Sequence, residues 1–256
     1  MTLIALNSQS NHKSANMIMG SLQFVWFIGH VGTLLGSLAY FLSFLTFQFN
    51  QLAYRMAFMG ALLSYSVVIY KSYCQATAKG GGFTKDENIQ YFLVALFWYF
   101  SDPISVTLIP YFIFSTFHAM GYIRKVILPV IFHPIQEETD IQMFQQRLKQ
   151  YSDSYYGSAM RCVAQIEVIL ILGRLFLGLI FGFRVVSFFV FTQFLKFRYN
   201  LSSYTRHVFK DVRTLLDRIL IPPTASVSIP PIITNCYITT RDIIIRYGQM
   251  GSSRQQ

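Results

Sequence analysis

The longest stretch without a charged side chain constrains this chain more than any other feature. Residues 14–54 contain no Asp, Glu, Lys or Arg. That run is too long for one soluble core helix and long enough to cross a membrane. Two further apolar runs, residues 89–100 and 185–195, are too short to cross alone, and each lies beside a longer run. The pattern predicts helical hairpins in a membrane, some of them shallow.

The composition excludes an ordinary soluble domain. Apolar residues make up 53% of the chain and charged residues only 12%, whereas an average soluble domain has roughly 25% charged residues. The chain also contains 25 Phe and 16 Tyr. Tyr favours the membrane–water interface, because its ring is apolar and its hydroxyl stays hydrated. We therefore expect an integral membrane protein.

Hydrophobic runs and turn residues divide the chain into hairpins. We predict an all-α integral membrane protein with about six membrane helices arranged as three hairpins, plus cytosolic amphipathic helices. The predicted segments are a cytosolic N-terminal segment at 1–21, the first hairpin at 22–70, a cytosolic loop at 71–88, the second and partly short hairpin at 89–122, a cytosolic amphipathic helix at 123–162, the third hairpin at 163–197 and a basic cytosolic tail at 198–256.

Basic residues near the span ends predict the orientation. With six membrane segments, three groups of basic residues fall on one side: Lys71, Lys79 and Lys85, then Arg124 and Lys125, then Lys196 and Arg198. Positive charge favours the cytosolic side, so we expect both termini in the cytosol. The opposite loops are short hairpin tips at 48–51, 101–103 and 183–184.

Two pairs of glycines predict close helix packing. Gly32 with Gly36, and Gly178 with Gly182, have the four-residue spacing of small residues that lets membrane helices approach each other. The glycine-rich stretch at 76–84 is predicted to be a loop.

The longest polar segment is predicted to contain an amphipathic helix. Thr139 begins a stretch with capping-box spacing. Apolar residues follow at helical intervals: Ile141, Phe144, Leu148, Tyr151 and Tyr155. We expect this helix to run directly into the fifth membrane segment, and residues 139–162 are a candidate docking surface for a partner protein.

A second amphipathic helix is predicted at residues 203–220, in the basic tail. Its apolar face contains Tyr204, Val208, Val212, Leu215 and Ile219. Its basic residues are Arg206, Lys210, Arg213 and Arg218. An apolar stripe flanked by basic residues suits a helix that lies on an anionic membrane surface. Packing on the protein's own cytosolic side remains the alternative. A further helix is expected after Pro230-Pro231.

Ionisable residues within the predicted spans are candidates for function. They include Arg55, His118, Glu167 and Arg174. We interpret these four as polar residues that fix helix packing. Glu167 and Arg174 are seven residues apart, which would place them on one helix face, so a transporter or channel that uses this pair is an alternative.

No catalytic or cofactor motif is present. The sequence lacks a hydrolase elbow, a P-loop, a zinc-protease pair and a dinucleotide fingerprint. The three cysteines, Cys74, Cys162 and Cys236, have no metal or disulfide spacing. We therefore predict no enzyme activity, no cofactor, no metal and no nucleic-acid partner. For the basic tail, the anionic cytosolic leaflet is the expected partner.

A series of short motifs resembles a known family. Tyr54-Arg55 and Tyr70-Lys71 bracket the second span. The series continues with Pro110, Phe114-Ser115, His118, Tyr122 and Lys125, then Glu167, then the sequence FLKFRY at 194–199, and finally Phe209 and Val212-Arg213. In order and spacing these motifs resemble the transmembrane protein 33 family, which includes fungal pore-membrane nucleoporins. The resemblance covers roughly residues 20–220.

The resemblance implies a multi-pass protein of the endoplasmic reticulum membrane and nuclear envelope. Members of that family are associated with tubular membrane shape and nuclear pore organisation, and they are not known as enzymes. The implied partners are reticulon-type membrane proteins or nucleoporins. No catalytic residue can be carried over from the family.

The leading hypothesis is a non-enzymatic membrane protein that shapes or organises curved membrane and scaffolds partners. Short hairpins would occupy the cytosolic leaflet more than the lumenal leaflet, and the basic helix would add further area there. The alternatives are a small-solute or ion transporter or channel that uses Glu167 and Arg174, and an adaptor that docks other proteins. The sequence leaves a homo-oligomer open.

Overall fold

The structure is a computed structural model that describes residues 21–74, 86–132, 138–181, 185–221 and 230–249. Every regular element within these ranges is helical. The α-helices are α1 Leu22–Ser43, α2 Gln51–Cys74, α3 Glu87–Phe100, α4 Leu108–Tyr122, α5 Leu128–Phe132, α6 Glu138–Gln165, α7 Leu172–Ile180, α8 Val185–Leu201, α9 Ser203–Leu220 and α10 Pro231–Gln249. Two π-helical segments, Ile123–Ile127 and Ile166–Ile171, join α4 to α5 and α6 to α7. The chain divides into a unit that ends at Ile171 and a unit that begins at Leu172.

Polar side chains mark where the helices begin. The Ser21 hydroxyl accepts a hydrogen bond from the Phe24 amide (3.2 Å) at the start of α1. At the start of α3, the Asp86 carboxylate accepts one from the Asn88 amide (2.8 Å). These side chains satisfy amides that have no partner inside the first helical turn. In a chain this apolar, such residues set the ends of helices that hydrophobicity alone would leave undefined.

Small residues bring α1 and α2 into direct backbone contact. A Cβ added at Gly36 would lie 2.6 Å from the Ala57 nitrogen and 2.8 Å from its Cα. One added at Gly60 would lie 2.5 Å from the Thr33 nitrogen and 2.6 Å from the Gly29 carbonyl oxygen. Because all these neighbours are backbone atoms, no side-chain rotation can make room. The close packing predicted at Gly36 is therefore confirmed, with α2 as the partner.

Helix α4 packs against both α1 and α2, and α3 packs against α2. Hydroxyl groups connect these helices at one end of the unit. Tyr40 and Ser105 are hydrogen-bonded at 3.1 Å, and Tyr54 and Thr107 at 2.8 Å. The Ile104 amide also donates to the Tyr54 hydroxyl (3.4 Å). The turn after α1 and the turn after α3 therefore lie at the same end of the unit.

The opposite end of this unit is aromatic. Phe27 near the start of α1 stacks on Tyr122 at the end of α4, with ring centroids 4.5 Å apart. Helix α6 packs against α4, where Tyr156 and Phe117 have ring centroids 5.6 Å apart. The π-helical segment that follows α6 reaches the turn at Ser105–Thr107. Helix α6 therefore runs antiparallel to α4.

The second unit is a chain of neighbouring helices. Helix α7 packs on α8, and α8 packs on α9. The Tyr199 and Phe209 rings, 5.7 Å apart, connect α8 with α9. The Thr234 hydroxyl donates to the Leu220 carbonyl oxygen (3.0 Å), which ties α10 to the end of α9.

The all-helical class is confirmed, but six membrane spans are not. By length and composition, four helical stretches could cross a bilayer: Leu22–Ser43, Gln51–Tyr73, Ser105–Ile131 and Gln142–Ile180. Helices α3 and α8 have 14 and 17 residues, or about 21 and 26 Å at 1.5 Å per residue. Both fall below a hydrocarbon core of ~30 Å. The structure thus supports the helices of the predicted hairpins and leaves the number of crossings a prediction.

Several helices continue past the predicted segment boundaries. Arg124 and Lys125 do not close a helix, because the chain stays helical through Phe132. Lys196 and Arg198 lie inside α8 rather than at the start of a tail. Lys and Arg are good helix formers, so a charge that marks a membrane boundary need not end the helix. The predicted loop at 76–84, the tip at 183–184 and Gly182 lie outside the described residues.

Other boundaries were predicted well. The helix that opens at the capping box does continue into the fifth membrane segment, through the π-helical segment Ile166–Ile171. Helix α9 has the predicted bounds. Helix α10 begins at Pro231, within the Pro230-Pro231 pair after which a helix was expected.

The contact between α1 and α2 gives the first prediction. Gly36→Ala and Gly60→Ala should each lower the free energy of unfolding by about 1–3 kcal/mol, because the new methyl groups meet backbone that cannot move aside. Gly32→Ala is the matched control, since its Cβ would lie at an ordinary 3.6 Å from the Gly60 Cα. The measurement is the thermal midpoint of the full-length protein in detergent. Equal midpoints for the Gly36 and Gly32 variants would contradict the close packing.

Candidate membrane interface

The outward faces of α1 and α2 are apolar. Leu35 on α1 is 63% exposed and Leu52 on α2 is 69% exposed. Other exposed apolar residues on these two helices include Val25, Ile28, Leu38, Leu42, Met56, Met59 and Leu63. A soluble protein rarely leaves an apolar surface of this extent open to water. The band is suited to contact with lipid chains.

The first turns of α9 are packed against protein. Thr205 is 0% exposed and Val208 is 2% exposed. The Arg206 guanidinium donates from Nη1 to the carbonyl oxygens of Tyr199 (3.1 Å) and Asn200 (3.0 Å), at the C-terminus of α8. A cation is favourable there because the carbonyl groups at a helix C-terminus carry partial negative charge. Arg206, predicted to bind a membrane surface, thus has a structural role in holding α9 to α8.

The last turns of α9 are open. Leu215 is 54% exposed and Ile219 is 48% exposed. Lys210 and Arg218 are also exposed, and neither has an ion pair among the described residues. The apolar stripe predicted for this helix is therefore divided, with Val208 packed inside and the C-terminal half uncovered. Binding of this half to a membrane stays a prediction.

Asp217 connects α9 to α10. Its carboxylate accepts hydrogen bonds from the Tyr237 hydroxyl (2.7 Å) and from Arg241 Nη1 (3.2 Å), and it lies 3.5 Å from Arg213 Nε. The hydrogen bond from Tyr237 lowers the pKa of the Asp217 carboxyl group, with Arg241 and Arg213 acting in the same direction. Burial, together with the same hydrogen bond, raises the pKa of Tyr237 to about 12. The sequence showed Asp217 only as one acid among basic residues, because nothing local indicates a partner 20 residues further on.

Glu167 is the buried acid of the first unit. It is 1% exposed, and its Oε1 accepts a hydrogen bond from the Tyr91 hydroxyl (2.7 Å). The Tyr91 carbonyl oxygen in turn accepts one from the Tyr111 hydroxyl (2.9 Å). A buried carboxylate is tolerated only when hydrogen bonds compensate for its lost hydration. Glu167 thus links its own π-helical segment to α3, and α3 to α4, which supports a packing role.

The other predicted intramembrane residues lie in different environments. Arg55 and Arg174 are exposed, unlike Glu167. Between Glu167 and Arg174 the helix has π rather than α geometry, so a separation of seven residues no longer corresponds to two α-helical turns. The His118 ring lies against those of His30 and Trp26, with centroids 4.8 and 5.3 Å away. The role of these residues in helix packing stays a prediction.

Comparison with known proteins identifies the family. The profile described as transmembrane protein 33/nucleoporin POM33 matches residues 6–250, which is nearly the whole chain. The chain belongs to this family. The resemblance seen in the sequence is confirmed, and it extends to the basic tail, where the short motifs had been weakest.

Individual relatives cover most of the chain. Tetra-spanning protein 1 of Schizosaccharomyces pombe is 32% identical over 244 residues, which cover 90% of this chain and 86% of that protein. The pore membrane protein of 33 kDa of Saccharomyces cerevisiae is 29% identical over 248 residues, or 90% of this chain and 84% of that protein. The same yeast has a pore and endoplasmic reticulum protein of 33 kDa that is 28% identical, over 80% of this chain and 85% of its own length. No solved structure matches the chain.

The hydrogen bond to Glu167 gives the second prediction. Tyr91→Phe should lower the free energy of unfolding by about 1–3 kcal/mol, because it removes a donor to a buried carboxylate. Tyr99→Phe, on the same helix, is the matched control, since its hydroxyl has no hydrogen bond among the described residues. Thermal unfolding in detergent measures both. If the two variants unfolded at the same temperature, the hydrogen bond from Tyr91 to Glu167 would make no contribution to stability.

The contact between Asp217 and α10 gives the third prediction. Asp217→Asn should release α10 from α9 at a cost to docking of about 1 kcal/mol, typical of a partly exposed ion pair. Cys236 is an exposed thiol on α10. With Cys74 and Cys162 replaced by Ser, a fluorophore on Cys236 reports the release as a fall in anisotropy. Asp211→Asn is the control, because Asp211 is exposed and has no ion pair among the described residues.

The same label tests the pH dependence. The folded-state pKa of Asp217 is below its ordinary value of 3.8. Its contribution to docking is therefore complete above that value and is lost as the pH falls through the lower folded-state pKa. Anisotropy should stay constant from neutral pH down to about 4 and fall only below it. A fall in anisotropy near neutral pH would show that a group other than Asp217 controls the docking of α10.

Proposed function

We propose that this protein shapes and organises curved membrane of the endoplasmic reticulum and nuclear envelope, without catalysis, by inserting helix surface into one leaflet. The observation that carries the proposal is the open half of α9. There, Leu215 and Ile219 are about half exposed beside the basic residues Lys210 and Arg218. The protein leaves these apolar side chains uncovered, and a charged lipid surface is suited to cover them.

The physical effect follows from how such a helix binds. An amphipathic helix of this kind lies in the plane of the membrane with its apolar face about 5–10 Å into the headgroup boundary. Each basic residue close to an anionic surface adds about 1 kcal/mol of attraction. The inserted helix enlarges only the leaflet that it enters, so the membrane bends away from that side. The predicted cytosolic position of the tail makes this the cytosolic leaflet.

The short helix α3 contributes less to this mechanism than its length suggests. Its C-terminal end lies near Ile104, which is hydrogen-bonded to Tyr54 at the end of the unit where α2 begins. Its N-terminal part lies beside the middle of α2, where Tyr91 stacks on Tyr65 with ring centroids 6.0 Å apart. Helix α3 therefore reaches the hairpin tip and falls short of the predicted cytosolic end. In this proposal, α9 alone produces the difference in area between the two leaflets.

The relatives suggest where the protein acts. One of them is named a pore membrane protein, and another is named a pore and endoplasmic reticulum protein. We include in the proposal a place at or near nuclear pores, with nucleoporins or reticulon-type membrane proteins as neighbours. In that setting, a tail helix that enters one leaflet would act on membrane that is already strongly curved.

Reconstitution gives the fourth prediction. At high density in anionic liposomes the wild-type protein should convert spherical vesicles into narrow tubules, as seen by electron cryomicroscopy. The double variant Lys210→Glu with Arg218→Glu should lose at least about 2 kcal/mol of surface attraction and tubulate less at equal density. Leu215→Ser with Ile219→Ser should have the same effect by removing apolar contact. Lys149→Glu, which makes the same kind of charge reversal once on α6, is the control for each single reversal.

A spin label shows whether α9 is responsible. With the native cysteines replaced by Ser, a nitroxide at Leu215→Cys should be accessible to oxygen and shielded from a water-soluble nickel reagent, whereas one at Lys210→Cys, on the polar side of the same helix, should show the reverse. Unchanged vesicle shape at high wild-type density would overturn the shaping proposal. If the vesicles form tubules while both labels remain exposed to water, the protein shapes membrane by a route that does not involve α9.

A further inference from the structure

Helix α6 has an apolar stripe with a regular repeat that is interrupted by one polar position. The apolar positions are Ile141, Phe144, Leu148, Tyr151, Tyr155 and Cys162, and Ser158 occupies the remaining position, so that the spacings alternate between three and four residues. The mean interval of 3.5 residues is the heptad repeat of two helices that pack along a shared seam. Similar three- and four-residue spacings occur on any amphipathic helix, so pairing also requires that these positions be exposed. We call these seven positions the seam.

The seam between Phe144 and Cys162 is exposed except at Leu148, which is partly buried, whereas another face of the same helix is packed. Phe144, Tyr151 and Tyr155 are 51%, 57% and 54% exposed. Cys162 is also exposed. By contrast, Met160 is 8% exposed and Val163 is 0% exposed, and both lie outside the seam. The first unit thus uses one side of α6 for its own packing and leaves the seam open.

Ring contacts fix the height of the seam relative to α1 and α4. Tyr122 lies level with the start of α1 through its stack on Phe27, and Tyr156 lies level with Phe117. Since α6 runs antiparallel to α4, at about 1.5 Å per residue Tyr151 is about level with Tyr122. Phe144 is about 10 Å further out, beyond the apolar part of α1. Tyr151 and Tyr155 are suited to the membrane–water interface, and Phe144 lies level with the helical continuation of α4 beyond Tyr122.

We propose that the seam is a self-association surface at which α6 of one copy pairs in parallel with α6 of a second copy of this chain. Two copies in one membrane have the same orientation and depth, so their α6 helices meet in parallel and in register. A heptad seam needs this arrangement to pair with itself. The membrane provides it without any further contact.

The residues beside the seam are compatible with self-pairing. In the heptad, the flanking positions that would face the partner include Gln145, Ser152, Ser154 and Ala159, all uncharged. Arg147 flanks the seam as well, and the partner position that it faces is occupied by Ser152. Like charges therefore do not meet across a symmetric pair, and like charges are what would oppose it most strongly. This property favours a second copy over a partner of different sequence.

The available area suits a weak pair confined to a membrane. Each of the three aromatic side chains has roughly 100 Å² left to cover, which gives roughly 600 Å² in two copies. Leu148 and the stems of flanking residues bring the total toward the ~1,200 Å² at the lower limit of specific interfaces. Anchoring both copies in one bilayer raises their effective concentration, and this compensates for the modest area.

Cysteine cross-linking in membranes tests the proposal with the full-length protein. In a chain with Cys74, Cys162 and Cys236 replaced by Ser, single cysteines are placed on the seam as Phe144→Cys or Leu148→Cys. Matched exposed positions away from the seam are Lys149→Cys and Asp153→Cys. Copper-phenanthroline oxidation should give at least about tenfold more disulfide-linked dimer at the seam positions, because only there do two Cβ atoms approach within bonding distance. Equal yields on both faces, or no dimer at the seam, would overturn the proposal.

A second variant separates specific pairing from chance collision. Tyr151→Asp in the Leu148→Cys background should reduce the dimer yield about tenfold, since two carboxylates would face each other across the seam. Gln146→Asp introduces the same charge away from the seam and should leave the yield unchanged. Equal losses from both substitutions would show that overall charge, rather than the seam, controls the contact, and this too would overturn the proposal.

Discussion

Direct contact between the backbones of α1 and α2 is the constraint on which the first unit depends. At Gly36 and Gly60 the neighbouring helix leaves no space for a side-chain carbon. The contact brings Tyr40 and Tyr54 together, with ring centroids 5.3 Å apart. From this position their hydroxyls reach Ser105 and Thr107 in the turn before α4. If α1 and α2 were further apart, the two tyrosines could not both bind that turn, and α4 would lose its position against both helices.

Hydrogen bonds between polar side chains also connect the other helices of the first unit. Hydrocarbon does not solvate hydroxyl or carboxylate groups, so each polar side chain in a membrane protein needs a partner within the protein. Tyr111, Tyr91 and Glu167 provide such partners in sequence, from α4 through α3 to the segment that follows α6. These hydrogen bonds support the prediction that Glu167 serves helix packing.

Sequence predictions that depended on neighbouring residues succeeded more often than those that depended on residues distant in the chain. Local signals worked well. The capping box at Thr139 predicted the start of α6 to within one residue, and Pro230-Pro231 predicted the start of α10. The predicted bounds of α9 agree with the structure. Such signals work because the end of a helix is decided by its nearest residues. Charge was a poorer guide to helix ends, since Arg124 and Lys196 lie within continuing helices. Long-range contacts were not predictable. Neither Gly60 as the partner of α1 nor Tyr237 as the partner of Asp217 has a local signature.

The π-helical segments have a consequence for how this architecture can vary in length. A π turn contains about one residue more than an α turn. Each π-helical segment therefore contains one residue that could be deleted while the helix stays continuous. Removal of one residue from Ile166–Ile171 could restore α geometry, and each residue rotates a helix by about 100°. Because the α turn completes the same rotation with one residue fewer, the side chains beyond that point would keep their direction while the helix stayed continuous. A single-residue insertion or deletion in a long membrane helix normally has no loop to absorb it. In this chain, Ile123–Ile127 and Ile166–Ile171 are places where such a change can be accommodated.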